Sequence, residues 1–466
     1  MNFQGKQVEL SNWSKSARSQ CLVYQASDPA CLAEALAAVR AQRLSVIPHG
    51  AGHSYTDAAL NSGGVVIDVT GMRQILSWDA EHGIMRVEPG VSLREMVQCA
   101  WPDGWWPVVA PSTPDVTIGG CAAMNVNGRN AWKCGPFGEY ILSMDVLLAN
   151  GEFCTLSPQR EPQLFYAFVG SLGLLGIITS ITVQLQRISS GYVAIRKRSA
   201  ACLDEIFNLF AEEASRSNFM EAWLDGFARA DQLGRGLLTS SVFDDSGQAP
   251  SPFLAASSAD RFGKPFVNLA ANLLRTGLSP LVHTANRLHY RLDSMSHPAL
   301  EQHRALVPYT FWPPAAFAGY HAVFTEGVET FHAFVPGHNA QEIFRQVLSY
   351  SQQQGCLPVW CVIKQHRRDP FLLSYQVDGF SLELNYQRTH QNAETLKRML
   401  QHSIAAVVEA GGRFYLAKDH FLTAAQYRQS IGDEALDTFL HLKQSYDPDM
   451  LLQSDLFRRV FRPALD

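Results

Sequence analysis

Hydrophobic and polar positions along the first part of the chain follow two different periods. Apolar residues recur at helical spacing over residues 28–43, and Asp28 stands where a helix N-cap is expected. Short apolar runs of the strand type cover residues 44–48, 65–70, 84–90 and 176–186. Asn150 and Gly151 predict a tight hairpin turn inside the strand-like stretch 144–156. The mixture of helix and strand signals predicts an α+β fold.

The pattern changes between residues 187 and 411. Residues 242–265 are rich in Ser, Pro, Gly and Asp, which predicts a long loop and a candidate lid. Residues 266–274 place apolar side chains on one helical face, and residues 260–304 hold six Lys or Arg against three Asp or Glu. Two interpretations stay open: a packed helix beside a solvated loop, or a surface for a lipid or phosphorylated ligand in peripheral contact with a membrane.

Composition limits the class of protein. The chain has 466 residues, of which 47% are hydrophobic and 17% are charged. This length and composition predict a globular protein of two or three domains. The formal net charge of -5 lacks the basic surplus that a nucleic-acid-binding protein needs, so we expect small molecules as partners and no nucleic acid.

The cysteines and the N-terminal sequence indicate the cellular compartment of the protein. Nine cysteines occur, an odd number without CxxC spacing, so neither a disulfide framework nor a metal cluster is predicted. The first residues, MNFQGKQVELSNW, show no secretion signal, and no apolar run reaches the length of about 18 residues that a membrane span needs. We therefore expect a cytoplasmic protein in a reducing environment.

A glycine-rich stretch, HGAGHSYTD at residues 49–57, is the first candidate for a binding loop. Gly50 and Gly52 fit the start of the dinucleotide-binding GxGxxG pattern, but the third glycine is absent and no helical pattern follows directly. A Rossmann site is therefore not predicted. Glycine-rich turns can also present backbone N–H groups to a pyrophosphate without a helix, because glycine allows close approach and a positive φ.

Two further segments turn this weak signal into a family resemblance. PSTPDVTIGGCAAMNVNGRN at residues 111–130 holds a second set of glycines, and GSLGLLGIITSITV at residues 170–183 ends in a strand pattern. The paired glycine segments resemble the flavin-binding domain of the vanillyl-alcohol-oxidase superfamily, which binds FAD. The resemblance implies the following FAD-binding residues: Gly50, Ala51, Gly52, His53, Ser54, Tyr55, Ser112, Ile118, Gly119, Gly120, Asn127, Gly128, Ile178 and Tyr415.

Shorter pieces narrow the resemblance within that superfamily. LSNWSKS near the N-terminus, EAWLDGFARADQLGRG at residues 221–236 and GGRFYLAKDH at residues 411–420 are similar to the decaprenylphosphoryl-ribose oxidases. The last piece is also similar to aldonolactone and alditol oxidases. This resemblance implies an FAD-binding domain formed by residues 1–190 and 412–466, with a substrate-binding domain at residues 191–411 inserted between the two parts.

The same resemblance implies a reaction. A hydroxyl-bearing carbon of a sugar or polyol would be oxidised, FAD would accept the hydride, and oxygen or another electron acceptor would reoxidise the flavin. A phosphorylated or lipid-linked substrate stays open. Two alternatives also stay open: a polyprenylphosphoryl-ribose oxidase that works with a keto-reductase, and a flavin-binding protein without catalytic activity.

Several residues match catalytic positions of the family. Lys418 matches its active-site lysine, which either holds the substrate as an ammonium group or accepts the hydroxyl proton as a neutral amine. Tyr55 and Tyr415 match tyrosines beside the flavin, and Lys364 matches a lysine near the substrate. His366, two residues after Lys364, is a weaker candidate for proton transfer.

Three positions depart from the ribose oxidases. His332 stands where related enzymes have an amide or an acidic residue, and Glu383 stands where the ribose oxidases can carry cysteine. The two residues could form an acid/base pair, or Glu383 could be a strand residue that faces solvent. Asn127 replaces the histidine of the HGKN segment of the ribose oxidases. We therefore expect a different pattern of hydrogen bonds and charges around the substrate.

His53 is predicted to bind FAD covalently, through a ring nitrogen attached to the C8 methyl group. GHS at residues 52–54 is the pattern of covalently flavinylated lactone and alditol oxidases, whereas the ribose oxidases have arginine at this position. An imidazole nitrogen is a competent nucleophile for such a bond. The alternative is a histidine that only hydrogen-bonds near the flavin. A covalent bond would favour oxygen as the electron acceptor.

Overall fold

The computed structural model describes residues 5–245, 279–295, 302–311 and 324–464. Most of the predicted loop at 242–265 and the whole predicted helix at 266–274 lie outside the described residues. The lid, the lipid-facing surface and the packed helix therefore all stay predictions. Within the described ranges, no helix is both long enough and apolar enough to cross a membrane.

Two sheets are built from the first part of the chain. Their strands are β1 (Lys6–Ser11), β2 (Arg18–Gln25), β3 (Val46–His49), β4 (Val65–Asp68), β5 (Ile75–Asp79), β6 (Ile84–Val87), β7 (Trp105–Pro107), β8 (Ile141–Leu148), β9 (Phe153–Leu156) and β10 (Gly176–Arg187). The first sheet has the order β1-β2-β4-β3, in which β4 pairs in parallel with β2 and β3. The second sheet has the order β5-β6-β10-β8-β9, and β7 also pairs with β10.

Helices of the first part connect these strands. They are α1 (Pro29–Ala41), α2 (Leu93–Ala100), α3 (Ile118–Met124), α4 (Ala131–Cys134) and α5 (Pro162–Phe168). The predicted N-cap of α1 is confirmed, because an Asp28 carboxylate oxygen accepts the N–H of Cys31 at 2.9 Å. The predicted hairpin is also confirmed: β8 and β9 pair antiparallel, and Gly151 between them adopts a φ of +90°.

The third sheet is large and antiparallel. Its strands, in spatial order, are β14 (Gln302–Ala305), β11 (Tyr192–Ala200), β13 (Gly236–Phe243), β12 (Phe219–Leu224), β16 (Trp360–His366), β17 (Gly379–Gln387), β15 (Val328–Pro336) and β18 (Arg413–Phe414). The helices of this part and of the C-terminal part are α6 (Leu203–Glu213), α7 (Ser279–Met295), α8 (Leu306–Thr310), α9 (Gly337–Gln353), α10 (Ala393–Glu409), α11 (Ala424–Ile431) and α12 (Asp433–Tyr446).

The two faces of the third sheet have different neighbours. One face packs against α9 and α10 through buried apolar residues such as Phe344 and Met399. The other face carries polar side chains on adjacent strands, among them Glu383 on β17, which pairs with His332 on β15. Successive residues of a strand point to opposite faces, so a buried core and a polar wall are built from the same strands.

The C-terminal residues join both parts of the molecule. The short strand β18 pairs with β15 of the third sheet, whereas Leu452 bridges Val46 at the edge of the first sheet. Helices and sheets are thus mixed throughout, and the predicted α+β fold class is confirmed. The division at residues 190 and 412 stays a prediction.

Lys443 anchors the C-terminal helix α12 to the first part. Its fully buried ammonium group donates hydrogen bonds to the carbonyl oxygens of Leu174 at 2.8 Å and Leu452 at 2.6 Å, and it also pairs with Asp447. Burial lowers the pKa of Lys443 to about 8. A buried ion pair is costly to break, because the remaining charge loses its opposite charge in a site without water.

We therefore expect Lys443→Met to destabilise the fold by about 3–5 kcal/mol, since Asp447 would stay buried without its cation. Urea unfolding, followed by circular dichroism, measures this loss. Lys397→Met on the exposed side of α10 is the matched control and should change the free energy of unfolding by less than about 0.5 kcal/mol. Equal effects of the two substitutions would contradict the anchoring role.

Candidate active site

A large cavity lies between the glycine segments and the polar face of the third sheet. Its volume is about 870 Å³, near the upper end of the range for ligand sites. The following sequence-predicted site residues line it: Gly50, Ala51, Gly52, His53, Ser54, Tyr55, Ser112, Gly119, Gly120, Asn127, Gly128, Ile178, His332, Lys364, Glu383, Tyr415 and Lys418. Residues that are far apart in sequence thus line the same cavity.

Ile118 is the one predicted cofactor-binding residue that does not line the cavity. Its side chain is fully buried in the hydrophobic core, and its N–H donates to the carbonyl oxygen of Val91 at 2.8 Å. The next amide, that of Gly119, donates to Pro89 at 2.9 Å. A Cβ atom on Gly119 would lie 2.7 Å from the Pro89 side chain. This glycine therefore permits close packing and does not offer an N–H to a ligand.

The first glycine loop, at residues 49–57, fits a dinucleotide better than the segment of Ile118 and Gly119 does. A Cβ atom on Gly50 would lie 2.3 Å from Oγ1 of Thr117, so the two glycine segments touch at this point. Gly52 has a φ of +69°, in the left-handed region that favours glycine. Among the described residues, the N–H groups of Ala51 and Gly52 have no hydrogen-bond acceptor. Both residues line the cavity, and backbone donors at such a place suit a pyrophosphate, so the residues present fit FAD.

Three of the segments that carried the family resemblance contact one another around Tyr55. The Tyr55 carbonyl oxygen accepts hydrogen bonds from the side chains of Asn12 at 2.8 Å and Ser14 at 2.9 Å. The Tyr55 N–H donates to the carbonyl oxygen of Ala417 at 2.8 Å. Through these bonds the N-terminal segment, the glycine loop and the C-terminal YLAKD segment hold Tyr55 and Lys418 on the same side of the cavity.

An aromatic pair supports the C-terminal segment. The ring of Tyr415 lies 4.3 Å from the ring of Tyr375, between centroids. The Tyr375 hydroxyl donates to the carbonyl oxygen of Asn125 at 2.6 Å and accepts from the Asn127 side chain at 3.1 Å. Burial raises the pKa of both phenols, so both are neutral at ordinary pH. Asn127 therefore holds Tyr375, which in turn fixes the ring of Tyr415.

Lys418 and Glu383 form an ion pair at the cavity wall. Lys418 Nζ lies 2.7 Å from Glu383 Oε2 and 5.5 Å from the centroid of the Tyr55 ring. Burial alone would raise the pKa of Glu383, but Lys418, His332 and Lys364 together outweigh burial and hold this pKa well below its usual range. Glu383 is thus a buried carboxylate, and the interpretation that it faces solvent is wrong.

His332 lies beside this pair and makes no hydrogen bond of its own. Its side chain is 2% exposed, and neither ring nitrogen has a hydrogen-bond partner among the described residues. Nε2 lies 4.0 Å from Glu383 Oε2. Burial holds the pKa of His332 well below its usual range, so the ring is neutral. A neutral imidazole with unused nitrogens next to a carboxylate is equipped to accept a proton.

Two further charged residues of this wall, Glu221 and Arg129, were not predicted from the sequence. Glu221 on β12 lies 3.5 Å from Lys364 Nζ and 3.4 Å from Arg129 Nε. Both Glu221 and Arg129 line the cavity. Both stand in motifs that were recognised, NGRN and EAWLDGF, but only the pairing of β12 with β16 shows that Glu221 is next to Lys364.

His366, the weaker candidate for proton transfer, is not part of the cavity wall. Its ring nitrogens contact Gln376 Oε1 at 3.1 Å and Ser381 Oγ at 2.8 Å, and burial lowers its pKa to about 3. The ring of Phe334 lies between His366 and His332, at 4.7 Å and 4.6 Å between centroids. His366 therefore packs behind Phe334 and does not line the cavity.

Comparisons with known proteins identify the cofactor. A model of the FAD-binding domain matches residues 21–157. The chain is similar to the decaprenylphosphoryl-beta-D-ribose oxidase of Mycolicibacterium smegmatis, at 28% identity over 463 residues that cover 97% of each protein. It is also similar to the L-gulono-1,4-lactone dehydrogenase of Mycobacterium tuberculosis, at 25% identity over 459 residues that cover 97% of this chain and 99% of that relative.

A shorter match reaches a different kind of substrate. The D-lactate dehydrogenase of Anaerostipes hadrus is 31% identical over 183 residues, which are 38% of each protein. Together with the cavity, these similarities confirm FAD as the cofactor and an FAD-dependent oxidoreductase as the class of enzyme. They do not extend to one substrate, because the relatives act on different ones by name.

Proposed function

We propose that this chain, an FAD-dependent oxidoreductase with an FAD-binding domain of the vanillyl-alcohol-oxidase type, oxidises a C–OH group of a sugar, a polyol or a sugar-derived molecule. The observation that carries the proposal is the composition of the cavity wall opposite the glycine segments. There, Lys418 lies against Glu383, and Lys364 lies against Glu221. Paired cations and carboxylates offer donors and acceptors together, which hydroxyl groups need.

The residues of the cavity wall have different roles in the proposed reaction. FAD, when bound, supplies the acceptor for the hydride from the carbinol carbon. Burial lowers the pKa of Lys418, whereas the Glu383 carboxylate at 2.7 Å opposes this shift and favours the ammonium form. An ammonium group has three donors, and those not used by Glu383 can hold the substrate oxygen. His332 lines the cavity and has no hydrogen-bond partner for either ring nitrogen among the described residues, so we assign it the role of accepting the hydroxyl proton.

The role of His332 predicts a particular pH dependence. A general base must be neutral, so flavin reduction should fall as the pH drops through the pKa of His332, which burial places well below 6.5. The groups around His332 are the charged or titratable residues Glu383, Lys418, Lys364 and His366 and the rings of Phe334 and Tyr415. His332→Asn should slow flavin reduction by about 10² to 10⁴ and remove this acid limb. Stopped-flow reduction at a series of pH values measures both effects.

His366→Asn is the matched control for this substitution, since His366 is equally buried but does not line the cavity. Its reduction rate should stay near that of the wild type even where its stability falls. A His332→Asn protein that keeps both the wild-type rate and the acid limb would show that the proton goes elsewhere.

The test of the proposed function is an anaerobic screen with the FAD-loaded protein. Sugars, lactones, alditols, 2-hydroxy acids and a lipid-linked sugar are mixed in turn with the protein, and bleaching of the flavin spectrum is followed. Bleaching by sugars or polyols is the expected result. If only the lipid-linked sugar bleaches the flavin, the polyprenylphosphoryl-ribose alternative replaces the proposal, and bleaching by 2-hydroxy acids alone would refute both.

Reoxidation of the reduced flavin identifies the electron acceptor. Admitting oxygen to the bleached enzyme should restore the oxidised spectrum if oxygen is the acceptor. The cytoplasmic location and the peripheral membrane contact stay predictions.

A further inference from the structure

Glu221 occupies a distinct position in the cavity wall. Ala222 pairs with Ile363 across β12 and β16, so Glu221 and Lys364 are neighbours on adjacent strands. The third member of this group, Arg129, approaches from the loop after α3 and donates a hydrogen bond from Nη1 to the carbonyl oxygen of Tyr309 at 2.9 Å. All three line the cavity. The carboxylate therefore lies between two cations and faces the ligand space.

Glu221 makes only long contacts with its two cations. Its oxygens lie 3.4 Å from Arg129 Nε and 3.5 Å from Lys364 Nζ, whereas Lys418 and Glu383 meet at 2.7 Å. Good charge-assisted hydrogen bonds measure about 2.7–2.9 Å. Arg129 Nε is buried without a hydrogen-bond partner among the described residues. The group thus compensates its charge through long contacts, and Glu221 and Lys364 keep an acceptor and a donor for a ligand.

We propose that Glu221 determines substrate specificity: it accepts hydrogen bonds from hydroxyl groups beyond the reacting one, and it prevents Lys364 and Arg129 from binding a carboxylate. The proposal rests on the proposed function and names its substrate class, a neutral alcohol with several hydroxyl groups. The hydroxyl groups donate to Glu221 and accept from Lys364. A carboxylate in the same place would meet the negative charge of Glu221 and would be rejected.

The spacing of the strands limits the size of this substrate. Glu221 on β12 and Glu383 on β17 are separated by β16, and strands lie about 4.8 Å apart, so roughly 10 Å separates the two strands. The reacting carbon lies at the Glu383 end, beside His332 and Lys418. A substrate that reaches Glu221 therefore carries hydroxyl groups on several successive carbons.

The first test uses D-gluconate, a chain of hydroxyl-bearing carbons that ends in a carboxylate. FAD-loaded wild type and Glu221→Gln are titrated with it, and the shift of the flavin spectrum reports binding. Glutamine keeps the shape of glutamate but leaves Lys364 and Arg129 uncompensated. We expect gluconate to bind the variant at least about 10-fold more tightly than the wild type, the size of one charge-assisted hydrogen bond.

Glu139→Gln is the matched control. Glu139 is similarly half-buried and paired with Arg367 at 2.7 Å, but it does not line the cavity. Its substitution should leave gluconate binding unchanged. Gluconate affinities that are equal in wild type and Glu221→Gln would overturn the proposal, since a merely structural glutamate would give that result.

The second test uses the neutral alcohol that reduces the flavin most efficiently in the screen. Glu221→Gln should raise KM for this alcohol by about 10-fold and leave the limiting rate of flavin reduction nearly unchanged, because Glu221 binds and does not react. A fall in the limiting rate with unchanged KM would also overturn the proposal. If no alcohol bleaches the wild type, the proposed function fails, and the gluconate titration still reports on Glu221 separately.

Discussion

Lys418→Met should keep FAD bound but slow its reduction by substrate by about 10² to 10⁴. Methionine approximates the lysine stem, while the charge that lies 2.7 Å from Glu383 Oε2 and 5.5 Å from the Tyr55 ring is lost. Without the ammonium group, the substrate oxygen loses its donor and the buried carboxylate of Glu383 loses its partner. Stopped-flow reduction of the anaerobic, FAD-loaded protein measures the rate.

A second variant distinguishes a loss of catalytic rate from a loss of stability, because an unpaired Glu383 also destabilises the fold. Lys418→Arg keeps the positive charge and should reduce the flavin faster than Lys418→Met. Lys397→Met, on the exposed side of α10, is the control for the substitution itself and should behave like the wild type. Reduction of the Lys418→Met protein at the wild-type rate would remove Lys418 from the proposed mechanism.

The other large effect concerns His53, which we propose to be bound covalently to FAD. His53 lines the cavity, and its ring lies 4.5 Å from the ring of Trp13 between centroids, within the loop that Gly50 and Gly52 shape. A bond between a ring nitrogen of His53 and the C8 methyl group would be a two-electron oxidation, for which the flavin would be the first electron acceptor and oxygen the final one. The histidine is thereby coupled to the choice of electron acceptor.

Acid precipitation tests this bond directly. Yellow colour should stay in the protein pellet of the wild type, and the peptide that contains His53 should carry the flavin mass. His53→Asn should release all flavin into the supernatant, although FAD still binds before denaturation. A colourless pellet from fully FAD-loaded wild-type protein would leave the noncovalent alternative and would weaken the case for oxygen as acceptor.

Local features of the fold could be predicted because they depend on residues that are close in sequence. The Asp28 cap needs only the N–H of Cys31, and the hairpin needs only Gly151 with its positive φ. Helix α3 was not predicted. Its two glycines lower helix propensity, and it forms because Thr117 caps it and its side chains are buried in the core.

The candidate site could be predicted in part. The motifs identified Lys418, Tyr415 and the loop at residues 49–57, since each stands in a recognisable run of residues. Ile118 shows the limit of this approach: it lies inside the second motif, yet it is buried in the core. A motif identifies a segment, whereas the direction of each side chain depends on what packs against the segment.

The sequence by itself predicted FAD as the cofactor, the mixed fold and seventeen of the residues that line the cavity. Only the tertiary structure decided the charges at the reaction centre. Glu383, distant in sequence, lies 2.7 Å from Lys418 and favours its ammonium form, and the buried ring of His332 has no hydrogen-bond partner among the residues that the structure describes. Glu221 acquires its place in the wall in the same way, through strand pairing. Charge and burial are properties of contacts between distant residues, which no single segment encodes.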